Sequence, residues 1–101
     1  MPFCVLLAHI AAVGYDFDPA KSERNLQERG FDFDLASLVF ESNPVVFRDD
    51  RRDYGEVRMI ALGEIDGNLY KVTFTDRGEV RRIISAHRAS RQEIRRWQMR
   101  R

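Results

Sequence analysis

A change in the spacing of apolar residues near position 57 constrains the fold of this chain more than any other feature of the sequence. From there on, apolar and β-branched residues form short segments separated by Asp-Gly and Asp-Arg-Gly sequences, which are typical of tight turns. The segments are 57–63, 69–75 and 80–85. In the middle segment Tyr70, Val72 and Phe74 alternate with polar residues, as in a strand with one buried face. The sequence therefore predicts a three-stranded antiparallel sheet.

The first part of the chain carries helix signals instead. Asp18 can cap a helix, Pro19 suits its first turn, and Gly30 suits the position after its end. These three residues predict a first helix between Asp18 and Gly30.

Two further helices are predicted from the same kind of signal. One covers about 34–41, with Asp32 or Asp34 as its cap, and the other begins at Ser90, which forms a capping-box spacing with Glu93. The order of elements predicts a small single α+β domain with two N-terminal helices, a three-stranded antiparallel sheet and a C-terminal helix.

The length of 101 residues allows one domain, which we place at 15–101, after an apolar extension at 1–14. That extension lacks a basic start and is too short to span a membrane, so no membrane association is expected. The single Cys4 favours a reducing compartment, and a cytoplasmic location is therefore predicted.

The charges of the chain are distributed unevenly. Residues 77–101 contain nine arginines against Glu79 and Glu93, a balance of +7 in a chain whose total is +1. A solvated helix face is one interpretation of such a run. The use of arginine without lysine favours the other, which is recognition of phosphate or carboxylate groups.

Several stretches resemble, in order, the sequence pattern of BrnT toxins from about Tyr15 to Arg101. They are Phe17-Asp18-Pro19-Ala20-Lys21, Asn25-Leu26, Gly30, Phe33, Val39-Phe40, Tyr54-Gly55-Glu56-Val57-Arg58, Leu62-Gly63 and Arg82-Ile83-Ile84-Ser85-Ala86-His87-Arg88-Ala89. The chain departs from that pattern where Glu28-Arg29-Gly30 replaces the usual Lys-His-Gly. It also departs at His87, where the family often has Arg or Leu.

The resemblance implies a RelE-like ribonuclease that cleaves RNA, halts translation and arrests growth. It further implies a cognate antitoxin that resembles BrnA, binds DNA and neutralises the toxin in a hetero-oligomer. The chain is thus expected to be the toxin of a bacterial type II toxin–antitoxin pair.

RNA cleavage needs a group that activates the 2′-hydroxyl, cations at the phosphate and a proton for the leaving oxygen. His9 and His87 are the only histidines, and the aspartates are scattered, so no metal site is predicted. We expect metal-independent cleavage without a cofactor.

His87 is the candidate acid or base, because imidazole titrates near neutral pH and basic neighbours should lower its pKa. Arg58, Arg82 and Arg88 are candidates to converge on the scissile phosphate, and we expect Arg82 and Arg88 to matter at least as much as His87. Surface ion pairs or an exposed loop histidine are the alternative interpretations.

Lys21 completes the predicted catalytic set, because it shares a helix face with Asn25 four residues later. The predicted RNA-binding residues are Asn25, Arg29, Arg91 and Arg95. Two other functions stay open, namely a nucleic-acid-binding module without catalysis and a degenerate toxin that retains only antitoxin binding.

Overall fold

Residues 14–100 are the part of the chain that the computed structural model describes. Their elements are β1 (Gly14–Asp16), α1 (Pro19–Arg29), α2 (Phe33–Ala36), a 3-10 helix (Ser37–Glu41), β2 (Val45–Arg48), β3 (Met59–Ile65), β4 (Asn68–Arg77), β5 (Val80–Arg88) and α3 (Arg91–Arg100). The predicted extension lies at 1–14, and all of it except Gly14 falls outside the described residues.

The sheet has five strands in the order β1-β5-β4-β3-β2. Its centre is the predicted meander of β3, β4 and β5, which pair antiparallel. The prediction of three antiparallel strands is nevertheless wrong, because β1 adds a parallel strand to β5 and β2 adds an antiparallel strand to β3. Both additions are only three or four residues long and show no alternation of buried and exposed positions. Three or four residues are too few to show an alternating pattern, so the sequence could not predict these strands.

Helix α1 has the predicted boundaries and caps. The carboxylate of Asp18 accepts a hydrogen bond from the Ala20 N–H at 2.9 Å, and Pro19 occupies the first turn. Gly30 follows the last turn with φ 85°, a left-handed conformation that glycine adopts without steric cost, and its N–H donates to Leu26 O.

The second N-terminal helix does not form as predicted. Asp32 caps it as expected, but the α-helix α2 ends after four residues, and the rest of the predicted helix forms the 3-10 helix. The Ser37 hydroxyl donates to Asp34 O, and the Ser42 hydroxyl donates to Val39 O. Such local side-chain bonds compete with the regular helical ladder and favour a short, tight ending.

The main core lies between the sheet and the N-terminal helices. Its strand side includes Tyr70, Val72 and Phe74, the three residues predicted to share a face. The helical side includes Phe33, Ala36, Val39 and Phe40. Close packing of the 3-10 helix on β3 requires Gly63, because a Cβ at that position would lie 2.8 Å from Val39 Cγ1.

Helix α3 packs on the other face of the sheet. Its capping box forms as predicted, since Glu93 N–H donates to Ser90 Oγ and Ser90 N–H donates to Glu93 Oε1. Lys71, which alternates with the core residues of β4, forms an ion pair with Glu93 at 3.1 Å. The α+β class is therefore confirmed, with helices on both faces of the sheet.

Candidate active site

A groove of about 260 Å³ lies between helix α1 and strand β5. Lys21, Asn25 and Arg29 line it from α1, where a spacing of four residues puts them on one helix face. His87 lines it from β5. The fold thus brings together four predicted site residues from two distant segments of the chain.

Asn25 is buried in the wall of this groove and its amide is already engaged. Its Nδ2 donates to Phe31 O at 2.9 Å, which fixes the chain just after α1. Its Oδ1 accepts from Arg29 Nη1 at 3.0 Å. These bonds make Asn25 a positioning residue for the Arg29 guanidinium.

The half-buried His87 imidazole has an altered titration. Burial lowers the pKa of His87 below its ordinary value, and the positive charges of Arg29 and Lys71 lower it further, while Glu93 opposes them. The predicted direction is confirmed, although burial is the leading cause. A lowered pKa keeps the imidazole neutral at neutral pH, so that it can accept a proton.

Lys71 is a neighbour of His87 that the sequence interpretation missed. The two residues are directly paired in the ladder of β4 and β5, which continues past the predicted strand end to Arg88. The register shifts at Thr73 and Phe74, where β5 contributes an extra residue. This bulge breaks the alternation along β5 and hid the continuation of the strand.

Arg82 and Arg58 lie outside the groove. Arg82 forms an ion pair with Asp16 of β1. The Arg58 guanidinium lies over the Tyr54 ring, 4.0 Å from its centroid, and its Nε is 4.0 Å from Glu56 Oε2. Arg82 is therefore closely paired within the fold, whereas the buried Nε of Arg58 has no hydrogen-bond partner among the described residues.

Arg88 lies at the end of β5 nearer to the groove. Its Nη1 donates to Asn68 Oδ1 at 3.2 Å, and its guanidinium lies 5.4 Å from the centroid of the Tyr70 ring. Arg82 is six residues back along the strand, roughly 20 Å away at the usual rise per residue. The structure does not bring Arg82 and Arg88 to one point.

Several cations of the groove and of α3 have no ion-pair partner among the described residues. Lys21 and Arg24 in the groove, and the exposed Arg91 and Arg95 on α3, form no ion pair with any carboxylate of residues 14–100. Arg24 was not predicted, although it lies on the same side of α1 as Lys21 at a spacing of three. These side chains can bind anions without first breaking an internal bond.

No group of three or more His, Cys, Asp or Glu side chains among residues 14–100 could hold a metal ion. Within the same range, no helix is long and apolar enough to cross a membrane.

Comparison with known protein families gives one match. Residues 17–93 match the family described as ribonuclease toxin, BrnT, of type II toxin-antitoxin system. The match covers most of the chain and confirms the resemblance inferred from the sequence. A search of curated proteins finds no match.

Proposed function

Because the chain belongs to the BrnT family of ribonuclease toxins of type II toxin–antitoxin systems, we propose that it is an endoribonuclease whose active site is the groove between α1 and β5. The observation that carries the proposal is the meeting of His87 with Lys21 and Arg29 in that groove. A neutral imidazole beside the cations of Lys21 and Arg29 is suited to cleavage of a phosphodiester. Cleavage of RNA then arrests translation and growth in the bacterial cytoplasm.

The proposed reaction uses the 2′-hydroxyl of the RNA as the nucleophile. His87 accepts the 2′-hydroxyl proton, the 2′-oxygen bonds to phosphorus, and the bond to the 5′-oxygen breaks. The leaving oxygen takes a proton from water, so the products are a 2′,3′-cyclic phosphate and a 5′-hydroxyl. Lys21 and Arg29 bind the non-bridging oxygens and stabilise the charge that develops there.

The basic groups of α3 are proposed to extend this surface. Arg91 and Arg95 are exposed and without carboxylate partners among residues 14–100, so they can hold RNA phosphates that flank the scissile one. The roles predicted for Arg58, Arg82 and Arg88 stay predictions. The close ion pair of Arg82 with Asp16 makes Arg82 the weakest of the three candidates.

Two departures from the family pattern still leave basic side chains in the groove, which supports its proposed role. The pattern has histidine where this chain has Arg29, and it often has Arg or Leu where this chain has His87. Both positions line the same groove. At these two positions the groove therefore holds one guanidinium and one imidazole.

The test is cleavage of RNA by the purified protein in EDTA. We expect cleavage to persist, because the proposed mechanism uses only side chains. His87→Gln should lower the rate by about a hundredfold or more, as removal of a general base does. His9→Gln removes the second histidine of the chain and is the matched control, expected to leave the rate within a factor of about two.

Other outcomes would support other functions. Salt-sensitive RNA binding without products would indicate a nucleic-acid-binding module. Antitoxin binding with neither RNA binding nor cleavage would indicate a degenerate toxin. Cleavage by His87→Gln at the wild-type rate would show that His87 is not the base.

The proposed partner is a BrnA-like antitoxin that binds DNA and forms a hetero-oligomer with this chain. Induced expression of the chain alone should arrest growth, and co-expression of the neighbouring reading frame should relieve the arrest. Arrest that the neighbour does not relieve would contradict the pairing.

A further inference from the structure

A second and larger cleft, of about 540 Å³, lies on the sheet face that carries α3. It opens between the first turns of α3 and the loop that follows β2. Phe47 and Ile60 supply an apolar floor, while Ser90, Gln92 and Arg96 line the side formed by the start of α3. Nothing in the proposed cleavage reaction uses this cleft.

Most charges in the lining neutralise one another. The internal pairs are Arg48 with Asp50 at 2.9 Å, Arg51 with Asp49 at 2.8 Å and Lys71 with Glu93 at 3.1 Å. The hydrogen bonds from the Arg51 side chain hold the pKa of Asp49 at about 2, so the buried carboxylate stays ionised and paired.

Arg96 is the charged residue of the lining that takes part in none of these pairs. It forms no ion pair with a carboxylate of residues 14–100. Its guanidinium lies over the Phe47 ring, 3.6 Å from the centroid. Stacking restrains the plane of the guanidinium, so its N–H edges are oriented in advance for a planar acceptor such as a carboxylate.

We propose that this cleft is a docking site for the antitoxin, with an acidic side chain of the antitoxin bound to Arg96 and an adjacent apolar side chain packed against the partly exposed Phe47. The proposal rests on the antitoxin partner that the family implies and not on ribonuclease activity. The lining of the cleft has one more positive than negative charge, so it should attract a partner that carries a negative charge.

A protein segment fits this cleft better than RNA does. RNA carries a phosphate at every nucleotide, whereas the ion pairs of the lining leave a single cation, Arg96, so the cleft matches one carboxylate better than a run of phosphates. A peptide presents a single carboxylate on an otherwise neutral backbone. The apolar floor also suits an aliphatic or aromatic side chain.

The test is the affinity of the purified chain for the purified product of the neighbouring reading frame, measured by calorimetry. Arg96→Glu should weaken binding by about thirtyfold or more, because it replaces an attraction to the acidic side chain of the antitoxin by a repulsion. Arg95→Glu makes the same change of charge on the adjacent residue of α3, outside the cleft, and should weaken binding by only about threefold.

A second variant tests the same idea without disturbing Arg96. Gln92→Glu places a carboxylate four residues before Arg96, where it can pair with the guanidinium along the helix. This variant should strengthen α3 and yet weaken antitoxin binding by about tenfold. Thermal melts of each variant separate lost binding from lost folding.

Three results would overturn the proposal. One is an equal loss of affinity in Arg95→Glu and Arg96→Glu, which would indicate a general electrostatic field. Another is unchanged antitoxin affinity with weakened RNA binding in Arg96→Glu, which would make the cleft an RNA surface. The third is unchanged affinity in Gln92→Glu. A chain that fails to cleave RNA but shows the expected affinities would contradict the ribonuclease proposal alone.

Discussion

The two ends of strand β5 carry similar basic residues in opposite circumstances. At the start of the strand, Arg81 and Arg82 are paired with Asp76 and Asp16. At its end, His87 faces a groove whose cations include some with no carboxylate partner among the described residues. The difference teaches that a basic residue is available for RNA only where the fold has not already supplied it with an acid.

Arg81, at the start of β5, is held entirely by contacts within the fold. It is 2% exposed, and its guanidinium lies between the rings of Phe40 and Phe74, at 4.8 and 4.4 Å from their centroids. Two bonds of 2.7 and 3.0 Å join it to the carboxylate of Asp76. A buried cation needs such a partner, because desolvation without one is costly.

The other end of β5 lacks such close pairs among residues 14–100. The Glu28 carboxylate approaches Arg29 only to 4.0 Å, and both side chains are largely exposed. An ion pair of this kind contributes little and yields readily to a phosphate. The groove is therefore poised to bind an anion, whereas the start of β5 is not.

Breaking the pair at the start of β5 should have the largest effect on stability. Asp76→Ala leaves the buried Arg81 without both carboxylate bonds, and we expect the free energy of unfolding in urea to fall by about 3 kcal/mol. The matched control is Asp16→Ala, which removes the partner of Arg82. Because Arg82 is less buried than Arg81, this change should cost at most about 1 kcal/mol. Equal losses would show that burial does not distinguish the two arginines.

Asn25→Ala should have the next largest effect and should connect stability with cleavage. It leaves the Phe31 carbonyl without the Asn25 amide as a donor and frees Arg29 from its positioning bond. We expect a loss of about 2 kcal/mol and slower cleavage by the folded protein. Gln27→Ala, which removes an exposed side chain bonded only to Glu23, should cost a few tenths of a kcal/mol. Cleavage at the wild-type rate by Asn25→Ala would contradict the positioning role.

The smallest effect is the dependence of stability on pH that His87 contributes. Its pKa is lower in the folded state than the ordinary value of 6.5, so the unfolded chain binds its proton first. The contribution is fully present above pH 6.5 and is lost as the pH falls through the folded pKa of His87. We expect less than about 1 kcal/mol, seen as a falling melting temperature.

Nuclear magnetic resonance checks that titration directly. A His9→Gln background leaves a single imidazole, and its ring protons should titrate below 6.5. Arg29→Gln in that background should move the pKa of His87 upward, because it removes a neighbouring positive charge. A pKa at or above 6.5 would show that the groove does not favour the neutral base.

Elements with complete local signals were predictable from the sequence. Helix α1 carries a cap, a proline and a glycine at the right positions, and the capping box of α3 lies within four residues. Strand β4 alternates without interruption and formed the middle of the predicted meander. In each case the decisive contacts lie close together in the chain.

What the sequence did not predict depends on distant contacts or on small irregularities. Strand β1 is a strand only because β5 lies beside it, and pairing across the length of the chain leaves no local periodicity. Lys71 became a neighbour of His87 through the bulge in β5. The residue types of the candidate site could be proposed from the sequence, but which of its cations form ion pairs depends on the fold.

The most direct test of this account compares cleavage rates of Arg29→Gln and Arg82→Gln under identical conditions, with folding checked by thermal melts. Both changes remove one guanidinium, but only Arg29 lines the groove. We expect a loss of about a hundredfold for Arg29→Gln, as for removal of one preorganised donor, and a change of at most about threefold for Arg82→Gln. A larger loss for Arg82→Gln, with Arg29→Gln close to wild type, would place the catalytic cations at the start of β5 and contradict the assignment of the groove.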